Sequence, residues 1–289
     1  MPAIVSLPNH YRIVGIFATS ARAILASVAL FDVKPLSALT RDTLAAVDMV
    51  YVAVPETSVY SVLFALKAHD VSRIDLIVDT PALAFPAGDV YGRWRSVTVA
   101  EDSVFLPWLE TVRRATNGSI GPLRRAYFKH SVFRYHGVAL VKVLLASDGA
   151  VRLISHAYKL RNSLHIASNG IAISIREPRD YTNGRFYLRC AYGCISDREE
   201  SKYQPIEVLT RSGYCTGFRI GDTQTNISAE ESMLVGRITA NDTVVTRMLD
   251  FKRVGLRRLL IALSNCERTW TLADGINDAA VVATRLWRR

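Results

Sequence analysis

Apolar residues in this chain fall first into short continuous runs and later into alternating ones. Between Val47 and Leu83 the order is informative. Val50-Tyr51-Val52-Ala53-Val54 is a nearly unbroken apolar run ended by Pro55. Such a run predicts a parallel strand buried on both faces. Thr57 or Ser58 can then cap a helix, and Val59, Val62, Leu63 and Leu66 follow at helical spacing. Asp75-Leu76-Ile77-Val78-Asp79 is a second short strand, stopped by Thr80-Pro81. Strand, crossover helix and parallel strand make one unit. Ligands of such folds sit at the carboxyl ends of the strands, which puts Pro55-Glu56-Thr57 and Asp79-Thr80-Pro81 at the rim of a cleft.

The same reading predicts a strand over Arg12–Phe17, a helix from about Ala18 to Leu30, a short strand at Pro35–Leu39 and a short helix opening at Thr40. A strand at Val97–Ala100 and a helix from about Leu106 to Ala115 follow, with Asn117-Gly118 as a left-handed cap. From Pro122 the rhythm changes. Arg124–Phe128 reads as a strand and Gly137–Leu145 as a helix. Arg152–Tyr158, Leu164–Ser168, Gly170–Glu177, Gly184–Cys194, Gln204–Thr210, Gly213–Ile220 and Glu231–Val235 then read as β-rich stretches with Gly, Asn and Asp turns. Helices at Thr246–Leu263 and Leu272–Trp287 close the chain. The expected fold class is an α/β Rossmann-type domain over residues 1–119, then an α+β domain over 120–289 with a large, mostly antiparallel open sheet.

Composition changes this picture little. The chain has 289 residues, 49% of them hydrophobic and 21% charged, which is ordinary for a globular protein of two domains. No apolar stretch approaches the ~20 residues of a membrane helix, and the first residues lack a secretory layout, so a cytoplasmic protein is expected. Lys and Arg total 36 against 26 Asp and Glu, a net charge of +10. That favours anionic ligands, but the arginines are dispersed in short clusters, and nucleic-acid binding is not the expected role. Cys190, Cys194, Cys215 and Cys266 match no zinc spacing and read as reduced structural thiols; no metal is expected.

Several motifs resemble those of the glucose–fructose oxidoreductase / inositol dehydrogenase (Gfo/Idh/MocA) family. Asp48-Met49-Val50-Tyr51-Val52-Ala53-Val54-Pro55 is similar to its "D-x-V-x-[IV]-A-x-P". Val78-Asp79-Thr80-Pro81-Ala82-Leu83-Ala84 falls at its "E-K-P" segment. Gly118-Ser119-Ile120-Gly121-Pro122-Leu123 resembles the opening of its second domain, and Tyr135 to Leu145 resembles a helix there. The resemblance implies an NAD(P)-dependent oxidoreductase acting on a sugar or polyol, with a homo-oligomer formed through the second-domain sheet.

The chain departs from that pattern in three places. A dinucleotide site needs a strand followed by a glycine-rich turn, so that backbone and helix N-terminus meet the pyrophosphate. No G-x-G-x-x-G occurs near the start of this sequence. Either Arg12–Phe17 is the first strand, with a crowded turn, or it is the second, with the first strand and its glycine loop missing, because the chain is truncated or its sheet rearranged. Losing a mid-sheet strand leaves ladder groups unpaired at ~1–3 kcal/mol each. In the second register Thr19, Ser20 and Arg22 fall where an adenosine ribose is held, and suit the 2′-phosphate of NADP better than the 2′-hydroxyl of NAD. Pro55, Glu56, Asp79 and Pro81 complete the expected cofactor contacts.

The other departures are catalytic. The family's Lys of Glu-Lys-Pro, which sits beside the nicotinamide, is Thr80 here, and a threonine is neither a charge nor a base near neutral pH. The Asp four residues before the second-domain His is Val132, leaving His136 from the usual acid–base group. His136, Thr80 and Tyr135 are the candidate catalytic residues. Glu101, Lys129 and Arg134 are the candidate substrate contacts. Two readings remain: an active sugar or polyol oxidoreductase, or a non-catalytic relative (a pseudoenzyme) that binds a sugar, a nucleotide sugar or a protein partner.

Overall fold

The computed structural model describes residues 2–18, 33–81, 90–145, 156–160, 162–168, 170–267 and 269–283. The chain forms two compact units. The first is Met1–Glu101 with Arg257–Ala279, and the second is Asp102–Leu256 with Ala280–Arg289. The packing boundary thus follows Glu101, whereas the change from α/β to β-rich rhythm falls near residue 119.

In the first unit α1 (Pro2–Val5) and α2 (Arg41–Ala45) precede a three-stranded parallel sheet. Its strands are β1 (Met49–Val52), β2 (Asp75–Asp79) and β3 (Ser96–Ala100), in that order, with α3 (Glu56–Leu66) crossing from β1 to β2. Val52 lies opposite Val78, and Asp79 opposite Ala100. Val59, Leu63 and Leu66 of α3 are buried with Val52, Leu76, Val78 and Trp94. The strand–helix–strand unit read from the sequence is therefore present. Residues 257–279 return to this unit: the Tyr11 hydroxyl donates to the Leu260 carbonyl at 2.6 Å, and the Val99 N–H to the Trp270 carbonyl at 2.9 Å.

Three details of the first unit differ from expectation. Pro55 is the N-cap of helix α3 and makes no side-chain cap bond, so Thr57 and Ser58 lie inside the first turn. Proline's fixed φ suits a helix start, and the Ser58 N–H already donates to the Pro55 carbonyl at 2.7 Å. Strand β1 is buried only at Val52, because among the described residues it pairs on one side alone. Arg12–Phe17 and Pro35–Leu39 form no strands, only a parallel bridge between Ile16 and Pro35. No residue from Tyr11 to Phe17 is fully buried, so this apolar run is only partly covered and is held weakly in a sheet. The helix expected from Ala18 to Leu30 lies outside the described residues beyond Ala18.

The second unit opens with a 3₁₀ turn (Asp102–Phe105) and α4 (Leu109–Asn117). Its seven-stranded sheet has the order β10-β9-β8-β4-β7-β6-β5. These strands are β4 (Leu123–Lys129), β5 (His156–Leu160), β6 (Ser163–Ser168), β7 (Ile171–Arg176), β8 (Arg185–Cys190), β9 (Cys194–Ser196) and β10 (Gln204–Pro205). The β4–β7 and β9–β10 pairs are parallel and the other four antiparallel. Burial alternates from Arg125 to Lys129 of β4: Ala126 and Phe128 are buried, while Arg125 and Lys129 are exposed. Helix α5 (Arg134–Leu145) covers the buried face with Val138, Leu140, Val141 and Leu145. Gly137 permits its close approach, since a Cβ there would lie 2.6 Å from Ile175 Cδ1. Strands β11 (Glu207–Arg211), β12 (Tyr214–Ile220) and β13 (Thr223–Asn226) form a separate antiparallel sheet, followed by α6 (Ala229–Val235). Helices α7 (Met248–Ser264) and α8 (Leu272–Ala283) end the described chain.

Again some elements differ. Gly184–Cys194 is not one strand but the hairpin β8–β9, with Arg189 opposite Cys194 and the Cys190 N–H donating to the Gly193 carbonyl. Cys194 therefore shares the face of Arg189 and Cys190 lies on the other, and both thiols are free, as are Cys215 and Cys266. Glu231–Val235 is helical: Ser228 and Glu231 form a reciprocal capping box, which outweighs the apolar spacing. Gly118 has φ −112°, so the left-handed residue is Gly121 at φ 75°.

Gly255 of α7 makes the closest helix contact, because a Cβ there would lie 2.3 Å from the Asp102 carbonyl oxygen. Helix propensity alone favours alanine by ~1 kcal/mol, but backbone cannot retreat as a flexible side chain can. Gly255→Ala is expected to lower unfolding stability by about 1–3 kcal/mol, measured by urea denaturation; a stabilised variant would contradict this packing.

Candidate active site

The second unit brings three polar side chains together from three elements. Asp102 opens the 3₁₀ turn, His136 lies in the first turn of α5, and Lys252 lies in the first half of α7. The Lys252 Nζ sits 3.0 Å from Asp102 Oδ1 and 2.6 Å from His136 Nε2. Gly255 is three residues beyond Lys252, on the same helix face. The contact that needs no side chain at Gly255 is thus what lets Lys252 reach Asp102.

His136 is buried, with 4% of its surface exposed. Burial first, and then the Lys252 ammonium, hold its imidazolium form well below the usual histidine range; Asp102 opposes this and Arg179 adds to it. His136 is therefore neutral at pH 7. A lysine ammonium has three donors and no acceptor, so the Nε2 atom accepts and the ring proton resides on Nδ1. Aromatic rings border the imidazole: Tyr135 at 4.4 Å and Phe133 at 6.3 Å between centroids. The Arg179 guanidinium stands 4.2 Å from the Phe133 ring centre. A cation held between a carboxylate and a neutral imidazole is an arrangement for proton transfer. An ammonium in that place also competes with any metal cation.

The sequence-predicted residues fare differently. His136 is central, and Tyr135 touches it. Arg134 instead pairs with Glu177, whose carboxylate also accepts from the Arg134 N–H at 2.9 Å. Lys129 is exposed on the sheet face away from α5, so the structure does not bring it to His136. Val132 is a core residue. In the first unit, Glu101 is buried at the end of β3, 2% exposed. Pro55 and Glu56 follow β1, and Asp79, Thr80 and Pro81 end or follow β2, at the carboxyl ends of adjacent parallel strands as expected. The Thr80 N–H donates to the Asp79 carboxylate at 3.0 Å. Thr19, Ser20 and Arg22 lie outside the described residues. Sequence reasoning missed both Lys252 and Asp102 as a partner pair. The available signal was Gly255, a residue that propensity disfavours in mid-helix, placed one turn after a lysine in an otherwise arginine-bearing helix.

No protein-family model matches the chain, and no curated protein matches its sequence. Solved structures do match its fold. A myo-inositol 2-dehydrogenase from Lactobacillus plantarum is 8% identical, with a TM-score of 0.63 over 96% of this chain and 89% of that one. An oxidoreductase from Agrobacterium radiobacter, in complex with NAD+, L-tartaric acid and magnesium, is 12% identical, with a TM-score of 0.63 over 97% of this chain and 90% of that one. The WlbA dehydrogenase from Bordetella pertussis, in complex with NADH and UDP-GlcNAcA, is 14% identical, with a TM-score of 0.60 over 97% and 88%. At such identity the likeness establishes the fold, a Rossmann-type α/β domain joined to a second domain with a large mixed sheet.

The buried neutral imidazole has a consequence for stability. Above pH 6.5 neither folded nor unfolded chain protonates His136. Below it, the unfolded chain takes up a proton that the folded chain refuses, so stability falls as pH drops, by up to about 1.4 kcal/mol per pH unit. Asp197, which burial raises to about 6, acts with the opposite sign. The comparison is therefore with His136→Gln, and urea midpoints from neutral to mildly acid pH should fall more steeply in the native chain. Parallel curves would contradict the burial of a neutral His136.

Proposed function

We propose that this chain is an NAD(P)-dependent oxidoreductase acting on the hydroxyl or carbonyl of a sugar or polyol, with Lys252 and His136 as its proton-transfer pair. The observation that carries this reading is the Lys252 ammonium held at once by Asp102 and His136 Nε2. The family resemblance implies a lysine beside the reacting carbon. Thr80 stands in that place, and Lys252 is a lysine from another element in contact with the expected histidine.

The described residues suit part of a nicotinamide cofactor. Glu56 and Asp79 are carboxylates at the ends of adjacent parallel strands and are acceptors for ribose hydroxyls. Pro55 leaves the first N–H groups of an 11-residue helix without a side-chain cap. On this proposal Pro55, Glu56, Asp79 and Pro81 are cofactor contacts at the strand ends, and Thr19, Ser20 and Arg22 take the 2′-phosphate of the adenosine ribose, with NADP favoured over NAD. When bound, the nicotinamide supplies the hydride acceptor or donor.

His136 is too buried to meet a substrate oxygen itself, whereas the Lys252 and Asp102 side chains keep 13% and 20% exposure. Direct proton transfer by His136, the role read from sequence, therefore passes to the pair. In reduction the Lys252 ammonium gives a proton to the substrate oxygen and becomes an amine. In oxidation the amine takes the hydroxyl proton back. His136 aims the ammonium through Nε2, and Asp102 balances its charge. Tyr135 closes the aromatic side of the imidazole. The non-catalytic reading is favoured by Thr80 and by Val132, which packs in the core where a carboxylate is expected.

Titration with NADPH and NADH, followed by nicotinamide fluorescence, tests the cofactor; a screen of sugars and polyols tests turnover. Lys252→Met is expected to leave cofactor binding intact and to lower kcat by about 10²–10⁴-fold. A folded protein that binds neither cofactor would sink the oxidoreductase reading and favour the binding-protein one.

A further inference from the structure

The face of the seven-stranded sheet opposite α5 carries a basic patch on β4, β8 and the end of β7. Strand register arranges it in three rows. Arg125 lies opposite Arg189, Tyr127 opposite Tyr187, and Lys129 opposite both Arg185 and Arg176. The Tyr127 and Tyr187 rings stack at 6.3 Å, and the Tyr187 hydroxyl is held by Glu200.

The first row is unusual. Like charges directly opposite on antiparallel strands are destabilising. The β4–β8 register also shifts between Leu123 and Arg125, so that Arg124 is an extra residue on β4. Such bulges re-aim side chains, and here Arg124 joins Arg125 and Arg189 around one concavity of about 470 Å³, completed by Cys190, Ala191 and Tyr192. All three guanidinium side chains are on exposed residues, and among the described residues no carboxylate pairs with them. Burial raises the Cys190 thiol to about 11, so the wall of the concavity adds no negative charge.

Tyr192 is 81% exposed, on a backbone held by hydrogen bonds. Its N–H donates to the Ile120 carbonyl at 2.9 Å, and the Ala191 N–H donates to the Pro122 carbonyl at 3.0 Å. Beneath its ring lies Gly121, where a Cβ would be 2.6 Å from Tyr192 Cδ2. An exposed aromatic ring packed over Gly121 thus stands beside three guanidinium groups that pair with no carboxylate among the described residues. Guanidinium forks match phosphate oxygens in paired hydrogen bonds, and an aromatic ring of this kind can stack on a planar base.

We propose that this concavity is a binding site for a nucleoside diphosphate group, distinct from the Lys252–His136 site: Arg124, Arg125 and Arg189 take the diphosphate, and the base packs on Tyr192. The free nucleotide and a nucleotide joined to a sugar share this chemistry, and both would be accepted.

Calorimetric titration of the full chain with inorganic pyrophosphate, with UDP and with a UDP-sugar tests the assignment. Pyrophosphate should bind and weaken as salt is raised. The double variant Arg125→Gln, Arg189→Gln should lose about tenfold or more in affinity for all three ligands. Tyr192→Ala should weaken UDP and the UDP-sugar but leave pyrophosphate unchanged. The sources separate by whether the UDP-sugar binds more tightly than UDP. NADPH fluorescence on the double variant should match the native chain, which keeps failure here separate from failure of the cofactor reading. Unchanged pyrophosphate affinity in the double variant, or no pyrophosphate binding by the folded native chain, would overturn the proposal. So would far tighter binding of a single-stranded oligonucleotide that does not depend on Arg125 and Arg189, because the whole face would then act as a diffuse polyanion surface.

Discussion

A lysine ammonium taken largely out of water is costly unless its donors are matched by acceptors. Lys252 meets this with a carboxylate on one side and a neutral imidazole on the other. The 3₁₀ turn after Glu101 presents Asp102, and the missing side chain at Gly255 lets α7 close on the turn's backbone. The missing side chain at Gly137 lets α5 settle on Ile175, which fixes His136 in its buried position. Neither glycine sits at a bend. Both are places where two backbones or a backbone and a strand must come close.

The charge state follows from the same geometry. His136 lies between burial, which disfavours its cation, and an adjacent ammonium, which disfavours it further. Asp102 pulls the other way, and its charge is engaged by Lys252. The trio therefore behaves as one hydrogen-bonded unit with a defined proton arrangement, carboxylate to ammonium to imidazole.

Much of this was legible from the residues, and the limits have physical causes. The β1–α3–β2 unit carried its own signals, because a run such as Val50–Val54 and a helical spacing such as Val59, Leu63 and Leu66 are local properties. His136 was picked out by its motif context. Lys252 was not, because its role arises from a contact with residues 150 and 116 positions earlier, which no window along the chain displays. Glu231–Val235 was misread because four or five apolar and acidic residues fit either period, and the Ser228–Glu231 capping box decides the matter. Arg12–Phe17 had the composition of a strand but is only partly covered. The open-face rows of Arg125, Arg189 and Lys129 were likewise invisible, since charge along a sequence says nothing about which cations share a face until strand register is known.

The most direct test of the account is nitrogen-15 NMR of the His136 side chain across the pH range in which histidines ordinarily titrate. The account predicts a neutral ring with its proton on Nδ1 and a hydrogen-bonded Nε2, unchanged from pH 8 down to well below 6.5, and a shift of the Nε2 signal when Lys252 is replaced by methionine. A His136 that titrates near 6.5, or whose Nε2 carries the proton at neutral pH, would contradict the Lys252–His136 contact on which the functional reading stands.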